Sequence, residues 1–142
     1  MNLTRLSAAL AAGLLSTLVF AGSAGAAVTE ENFVSRTTGD LAALCSAAPT
    51  DPLYTAAINF CHGFGAGTYG ILASAQQADS RLKMFCAPGN LTRNEAVAAF
   101  VAWAGGKPER AALPSVDGVV GFLTETYPCS KAGAAAPARR TP

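Results

Sequence analysis

Residues 53–75 read LYTAAINFCHGFGAGTYGILASA, and the period of their apolar side chains decides the fold class. Leu53, Ala57, Phe60, Phe64, Gly67 and Ile71 recur at steps of four and three, which places them along one helical face. A second stripe, Ala56, Gly63, Ala66, Gly67 and Gly70, is almost bare of side chains. Glycine inside a helix costs about 1 kcal/mol relative to alanine, so this density needs a reason. Packing supplies one, because a bare strip lets another helix cross at short range. The segment therefore reads as the central helix of a small all-α domain, with Cys61 placed to tie it to a neighbour.

Gly65, Gly67 and Gly70 also match GxGxxG, the turn that cradles dinucleotides. That turn requires a preceding β-strand, a βαβ unit and an acidic residue about twenty positions on. Here helical periodicity runs through the glycines and no strand-like alternation precedes them, so the motif carries no nucleotide reading.

Three more helices flank the central one. Thr37 or Thr38 caps a first helix over 39–48, with Asp40 in its first turn and Leu41, Leu44 and Cys45 on its buried face. Pro49-Thr50-Asp51-Pro52 breaks it, and Asp51 and Pro52 fit the cap and first position of the central helix, which runs on to about residue 77. After a loop over 78–90, Thr92-Arg93-Asn94-Glu95 forms a capping box ahead of Val97, Phe100, Val101 and Ala104, and Gly105-Gly106 ends that helix. Asn90-Leu91-Thr92 also fits a glycosylation sequon, although capping already accounts for Thr92. A fourth helix over 115–127 is expected to bury Val116, Val119, Val120, Leu123 and Tyr127. The fold class is thus all-α, a small four-helix bundle-like domain with up-down-up-down connections.

The ends of the 142-residue chain read differently. Arg5, an apolar run over 6–20 and Ala24-Gly25-Ala26 make residues 1–27 a secretory signal peptide, cleaved after Ala26 or Ala27. The run is too short for a membrane span. The domain occupies 28–130, and 131–142 is an Ala/Pro/Arg tail expected to be disordered. Loss of Arg5 leaves nine bases against nine acids, and residues 28–130 alone hold six bases and nine acids. A mildly acidic domain of this kind lacks the basic stripe of a nucleic-acid binder.

Four cysteines, Cys45, Cys61, Cys86 and Cys129, remain after cleavage. An even count in an exported chain this short reads as two disulfides rather than zinc, since no CxxC or HxxxH pair is present. Of the three connectivities that four cysteines allow, alternating helix directions favour Cys45–Cys61 and Cys86–Cys129.

Few residues converge for catalysis. His62 is the only histidine, and adjacent helix positions point about 100° apart, so Cys61 and His62 cannot form a local thiol–base pair. Asp79, Glu95, Glu109, Asp117 and Glu125 stand singly, and Trp103 reads as a packing residue before a partner anchor.

Thr38-Gly39-Asp40-Leu41 with Cys45, Cys61-His62-Gly63-Phe64 with Gly67, Phe85-Cys86-Ala87-Pro88-Gly89 with Thr92, Lys107-Pro108 and Tyr127-Pro128-Cys129 follow one another in an order that resembles the Tai/Rap family, periplasmic immunity proteins against type VI secretion amidases. The resemblance covers about residues 37–129. Phe64 stands where the family's pattern has a tyrosine. The resemblance implies an all-α periplasmic domain, often a homodimer, that binds a secreted peptidoglycan amidase and plugs its Cys-His cleft, with no cofactor and no catalysis of its own. It implies structural roles for Cys45, Cys61, Gly63, Gly67, Cys86, Pro88, Pro108, Pro128 and Cys129. Toxin contacts do not carry over, so the charged connection after Gly105, with Lys107, Glu109 and Arg110, is the expected reach toward a partner. The rival readings are a helical envelope protein of structural or chaperone-like role without a cognate toxin, and a small hydrolase.

Overall fold

A computed structural model describes residues 27–129; residues 1–26 of the expected signal segment and the expected tail over 131–142 lie outside them. Helix α1 spans Thr38–Cys45 because Thr37 caps it: Thr37 Oγ1 accepts the Asp40 N–H at 3.1 Å and the Asp40 carboxylate accepts the Thr37 N–H at 3.0 Å. The helix stops at Cys45, short of the expected residue 48. The Ser46 hydroxyl there donates back to the Ala42 carbonyl at 2.8 Å, competing with continued helix.

Helix α2, Tyr54–Ala78, has 25 residues and is therefore about 37 Å long, roughly twice the length of any other helix. Asp51 does not cap it. One Asp51 oxygen accepts the Leu53 N–H at 2.8 Å and the other accepts the Val28 N–H at 2.9 Å, so Asp51 pins the start of the chain to the turn instead. A 3-10 turn, Glu30–Val34, sets Phe33 edge-on to Phe60, with ring centroids 5.8 Å apart. The remaining helices are α3, Arg93–Gly105, opened by the expected Thr92–Glu95 capping box; α4, Pro108–Ala111, a single turn within the charged connection; and α5, Ser115–Thr126. A second 3-10 turn, Ser80–Leu82, lies between α2 and α3. The fold is all-α, and both disulfides join the expected pairs, Cys45–Cys61 and Cys86–Cys129, with Cα atoms 5.1 and 4.8 Å apart. Among the described residues no helix is long and apolar enough to cross a membrane.

The centre is α1, not α2. The eight residues of α1 touch the leading 3-10 turn and every other helix, and Leu41 and Leu44 are fully buried. Two glycines let neighbours approach it. A Cβ at Gly39 would lie 3.3 Å from the Ala111 carbonyl oxygen of α4, and one at Gly118 would collide with the side chain of Thr38.

That second contact settles how α5 is rolled. Ser115, Gly118, Val119, Phe122 and Leu123 face inward, while Val116, expected in the core, is half exposed. The Ser115 hydroxyl anchors the roll, since it meets the Ser35 and Thr37 carbonyls and accepts the Ser35 hydroxyl at 2.9 Å. Phe122 takes the place expected for Val116 and packs edge-on against Phe100 and Tyr127, with centroids 5.6 Å apart in each pair.

The bare strip of α2 likewise departs from expectation. A Cβ at Gly63, Gly65, Gly67 or Gly70 would meet nothing within 4 Å, so among the described residues no helix crosses there. Of the expected apolar stripe, Ala57 is buried and Leu53, Phe60 and Phe64 pack against the core, but Ile71 at its far end is 73% exposed; Cys61 and Leu72 join the inward line. The fully buried residues of α2, Ala57 and Cys61, lie in its first half, while Tyr69 against Phe85 and Leu72 against the core carry contact further along it. Its far half is held by the 83–85 segment, where Gln76 Oε1 accepts the N–H groups of Met84 and Phe85 at 2.6 and 2.9 Å.

Candidate functional site

The connection between α3 and α5 carries the charged residues singled out in the sequence. Gly105 ends α3, Lys107 is extended at φ −149°, and Pro108 starts the single turn of α4, where its fixed φ and missing N–H suit a first helical position. Lys107, Pro108 and Glu109 are exposed, whereas Arg110 turns back toward the body of the molecule. Rather than protruding, the connection lies against α3 and α1.

Arg110 is held on several sides. Its guanidinium sits 4.5 Å from the centre of the Trp103 ring, donates to the Trp103 carbonyl at 2.9 Å and pairs with Glu125 at 2.6 Å. The Trp103 indole N–H donates to the same Glu125 oxygen at 2.8 Å. The Trp103 ring is buried between Phe100 and Phe122, and Gly121 leaves room for its edge, which lies 3.3 Å from where a Cβ would stand. Glu125 is consequently held below its ordinary carboxylate range, foremost by the indole hydrogen bond; burial opposes this, and the charges of Arg110 and Lys107 add to it. Glu125 stands singly in the sequence, and the cluster is not legible there because its members lie seven, fifteen and twenty-two residues apart.

A concave feature separates α2 from α3. It is a cleft of about 360 Å³, floored by the Cys45–Cys61 disulfide, Phe100 and Phe122, with His62 and Tyr69 on the α2 wall and Arg93 on the α3 side. Nothing in the apolar periodicity announced it.

Gly65, Gly67 and Gly70 lie in the middle of α2 with no strand before them, so they form no phosphate-binding turn. Cys61 is disulfide-bonded and provides no thiolate beside His62. Asp40 and Glu95 complete helix caps, Asp79 caps the second 3-10 turn and pairs with Arg81 at 2.7 Å, and Asp117 is exposed. Among the described residues no group of His, Cys, Asp and Glu is arranged to hold a metal ion. What the connection presents outward is one cation, Lys107, and one anion, Glu109, two positions apart on a braced turn. Such a pair offers opposite charges and hydrogen-bonding groups at the surface.

The family model of the Rap1a immunity proteins matches residues 37–129. No curated protein and no solved structure matches the chain.

Proposed function

The chain belongs to the Rap1a immunity protein family, and from that premise we propose that it is a periplasmic protein that binds a type VI secreted peptidoglycan amidase and covers its active site. The family match from Thr37 to Cys129, across all the α-helices of the described domain, carries this reading. Two disulfides in so short a chain support an oxidising compartment, in keeping with export by a cleaved signal over residues 1–27. The partner surface we assign is the α3–α5 connection, with Lys107, Glu109 and Arg110. Inhibition by occlusion needs no cofactor and no reaction centre, only a surface that keeps its shape. Self-pairing into a homodimer belongs to the same proposal, supported by an outer face of α2 that bears no Asp, Glu, Lys or Arg and that no other described residue covers at its glycines.

The test uses the mature chain against purified representatives of each type VI amidase class, scoring complex formation by gel filtration and peptidoglycan cleavage by release of soluble fragments. One class should be inhibited at equimolar ratio. If every amidase cleaves at its full rate in the presence of the chain, the reading falls. A chaperone-like envelope protein is the second reading, favoured by the exposed apolar side chains Tyr69, Ile71, Leu82 and Met84. Suppression of aggregation of several unrelated unfolded clients, without amidase inhibition, would decide for it.

A further inference from the structure

We infer that Arg110 is a positioning residue: with Trp103 and Glu125 it clamps the 106–111 turn in the shape that presents Lys107 and Glu109 to the partner. The inference rests on the immunity reading above and deepens it, by separating the residue that holds the turn from those that touch the effector.

A single helical turn does not persist on its own, because closing the first turn fixes several dihedrals for one hydrogen bond. Helix α4 has four residues, its cap residue Lys107 makes no side-chain cap, and two glycines precede it. Its shape must therefore be imposed by neighbours. On the far side, the Leu113 carbonyl accepts the Thr38 N–H at 2.7 Å, tying the chain after α4 to the start of α1. On the near side the tie is the Arg110 side chain. It reaches back to the Trp103 carbonyl on α3 and across to Glu125 on α5, while its face lies on the indole.

These contacts join three helices at one point, and they explain why Arg110 is mostly covered, with its side chain 20% exposed. A guanidinium drawn into an effector cleft would have to leave an indole face, a carbonyl and a carboxylate at once. Lys107 and Glu109, one on either side of Pro108, remain outside the clamp. The planar fork of arginine is what permits the stacking and the two directed bonds together; an ammonium supplies the charge without that geometry.

The experiment compares the wild type with Arg110→Ala, Arg110→Lys and Glu125→Gln in the full mature chain, alongside the amidase it inhibits. Three readouts are taken: hydrogen exchange of the amides over 106–112, emission of Trp103, the only tryptophan, and association and dissociation rates. Arg110→Ala should speed exchange over 106–112, leave α2 protected, shift the indole emission and weaken binding about tenfold. The loss should appear mainly as slower association, because fewer molecules hold the competent turn. Arg110→Lys should restore binding only in part. Should Arg110→Ala disturb the fold as a whole, Glu125→Gln, which removes the charge and keeps one acceptor oxygen for the indole and guanidinium, supplies the same readouts.

Weakened binding with unchanged exchange at the turn would make Arg110 a contact residue and overturn the inference. So would faster exchange with undiminished binding. Failure of any amidase to bind the wild type would remove the immunity reading and the inference with it, an outcome distinct from any difference among variants.

Discussion

Gly118→Ala should destabilise this protein, while the same change at Gly67 should stabilise it. At Gly118 the new methyl would stand 2.7 Å from Thr38 Cγ2 and 2.8 Å from its Cβ. Thr38 has no exposed surface, and its hydroxyl is held within bonding distance of the Leu113 and Pro114 carbonyls, at 3.1 and 3.3 Å. It cannot rotate away without leaving them. Overpacking of this kind costs about 1–3 kcal/mol, and a displaced buried hydroxyl costs about 1 kcal/mol more. Alanine's better helix propensity offsets about 1 kcal/mol. The net loss is therefore about 1–3 kcal/mol, which for a domain this small lowers Tm by roughly 5–20 °C. At Gly67 nothing lies within 4 Å, so only the propensity gain of up to about 1 kcal/mol remains. Urea unfolding followed by far-ultraviolet circular dichroism gives both values. A cycle with Thr38→Ala isolates the clash, because removing Cγ2 and Oγ1 should recover about 1–2 kcal/mol of the Gly118→Ala loss. A stable Gly118→Ala protein, or strict additivity with Thr38→Ala, would refute the close approach of α5 to α1. A loss of stability at Gly67 that grows with protein concentration would show a second copy lying on the strip.

The two disulfides should differ in access: Cys86 is exposed while Cys45 and Cys61 are buried, so limited reduction of the folded protein followed by alkylation and mass mapping should label Cys86 and Cys129 first. Replacing Cys86 and Cys129 with alanine removes a loop closed over a separation of 43 residues and should cost about 4 kcal/mol in denaturant unfolding; the separation of 16 between Cys45 and Cys61 predicts about 3 kcal/mol before any cavity is counted. Asp40 gives a pH dependence. Burial acts to raise its pKa, but the Thr37 N–H and hydroxyl, the Asn32 amide and the Arg36 charge together hold it below the ordinary 3.8. A depressed carboxylate contributes stability that is complete above 3.8 and fades as pH falls through the folded value. Asp40→Asn should therefore cost about 1 kcal/mol at neutral pH and progressively less in acid, read from urea midpoints across the acid range.

Most of the secondary structure was legible in the sequence because local chemistry announces it. The Thr92–Glu95 box, the Gly105-Gly106 stop and the Thr37–Asp40 cap each use partners three residues apart, within the reach of single-sequence reading. The disulfide pairing followed from alternating helices. What stayed hidden depends on contacts between distant segments. The roll of α5 is set by Ser115 meeting carbonyls about eighty residues away, and periodicity alone leaves Val116 and Phe122 nearly interchangeable as inward positions. The Arg110–Trp103–Glu125 cluster was invisible for the same reason, since nothing in three solitary residues marks them as neighbours.

Helix α2 misled in a more instructive way. Between Tyr54 and Ala78 it holds no Asp, Glu, Lys or Arg, and an uncharged, small-residue helix reads as the middle of a core. Low charge and small size are also what a surface needs if another backbone is to approach it closely, so the two situations share one signature in sequence. Geometry separates them: the fully buried residues Ala57 and Cys61 lie in the first third of the helix, and the glycines beyond meet nothing within 4 Å among the described residues. The position of the true hub follows from the same comparison. Helix α1 is central because it is short enough to be surrounded, carries Leu41 and Leu44 on its inner side, and admits α4 and α5 at Gly39 and beside Thr38. A 37 Å helix could not be enclosed by partners half its length, so the length of α2 itself argued for an uncovered end.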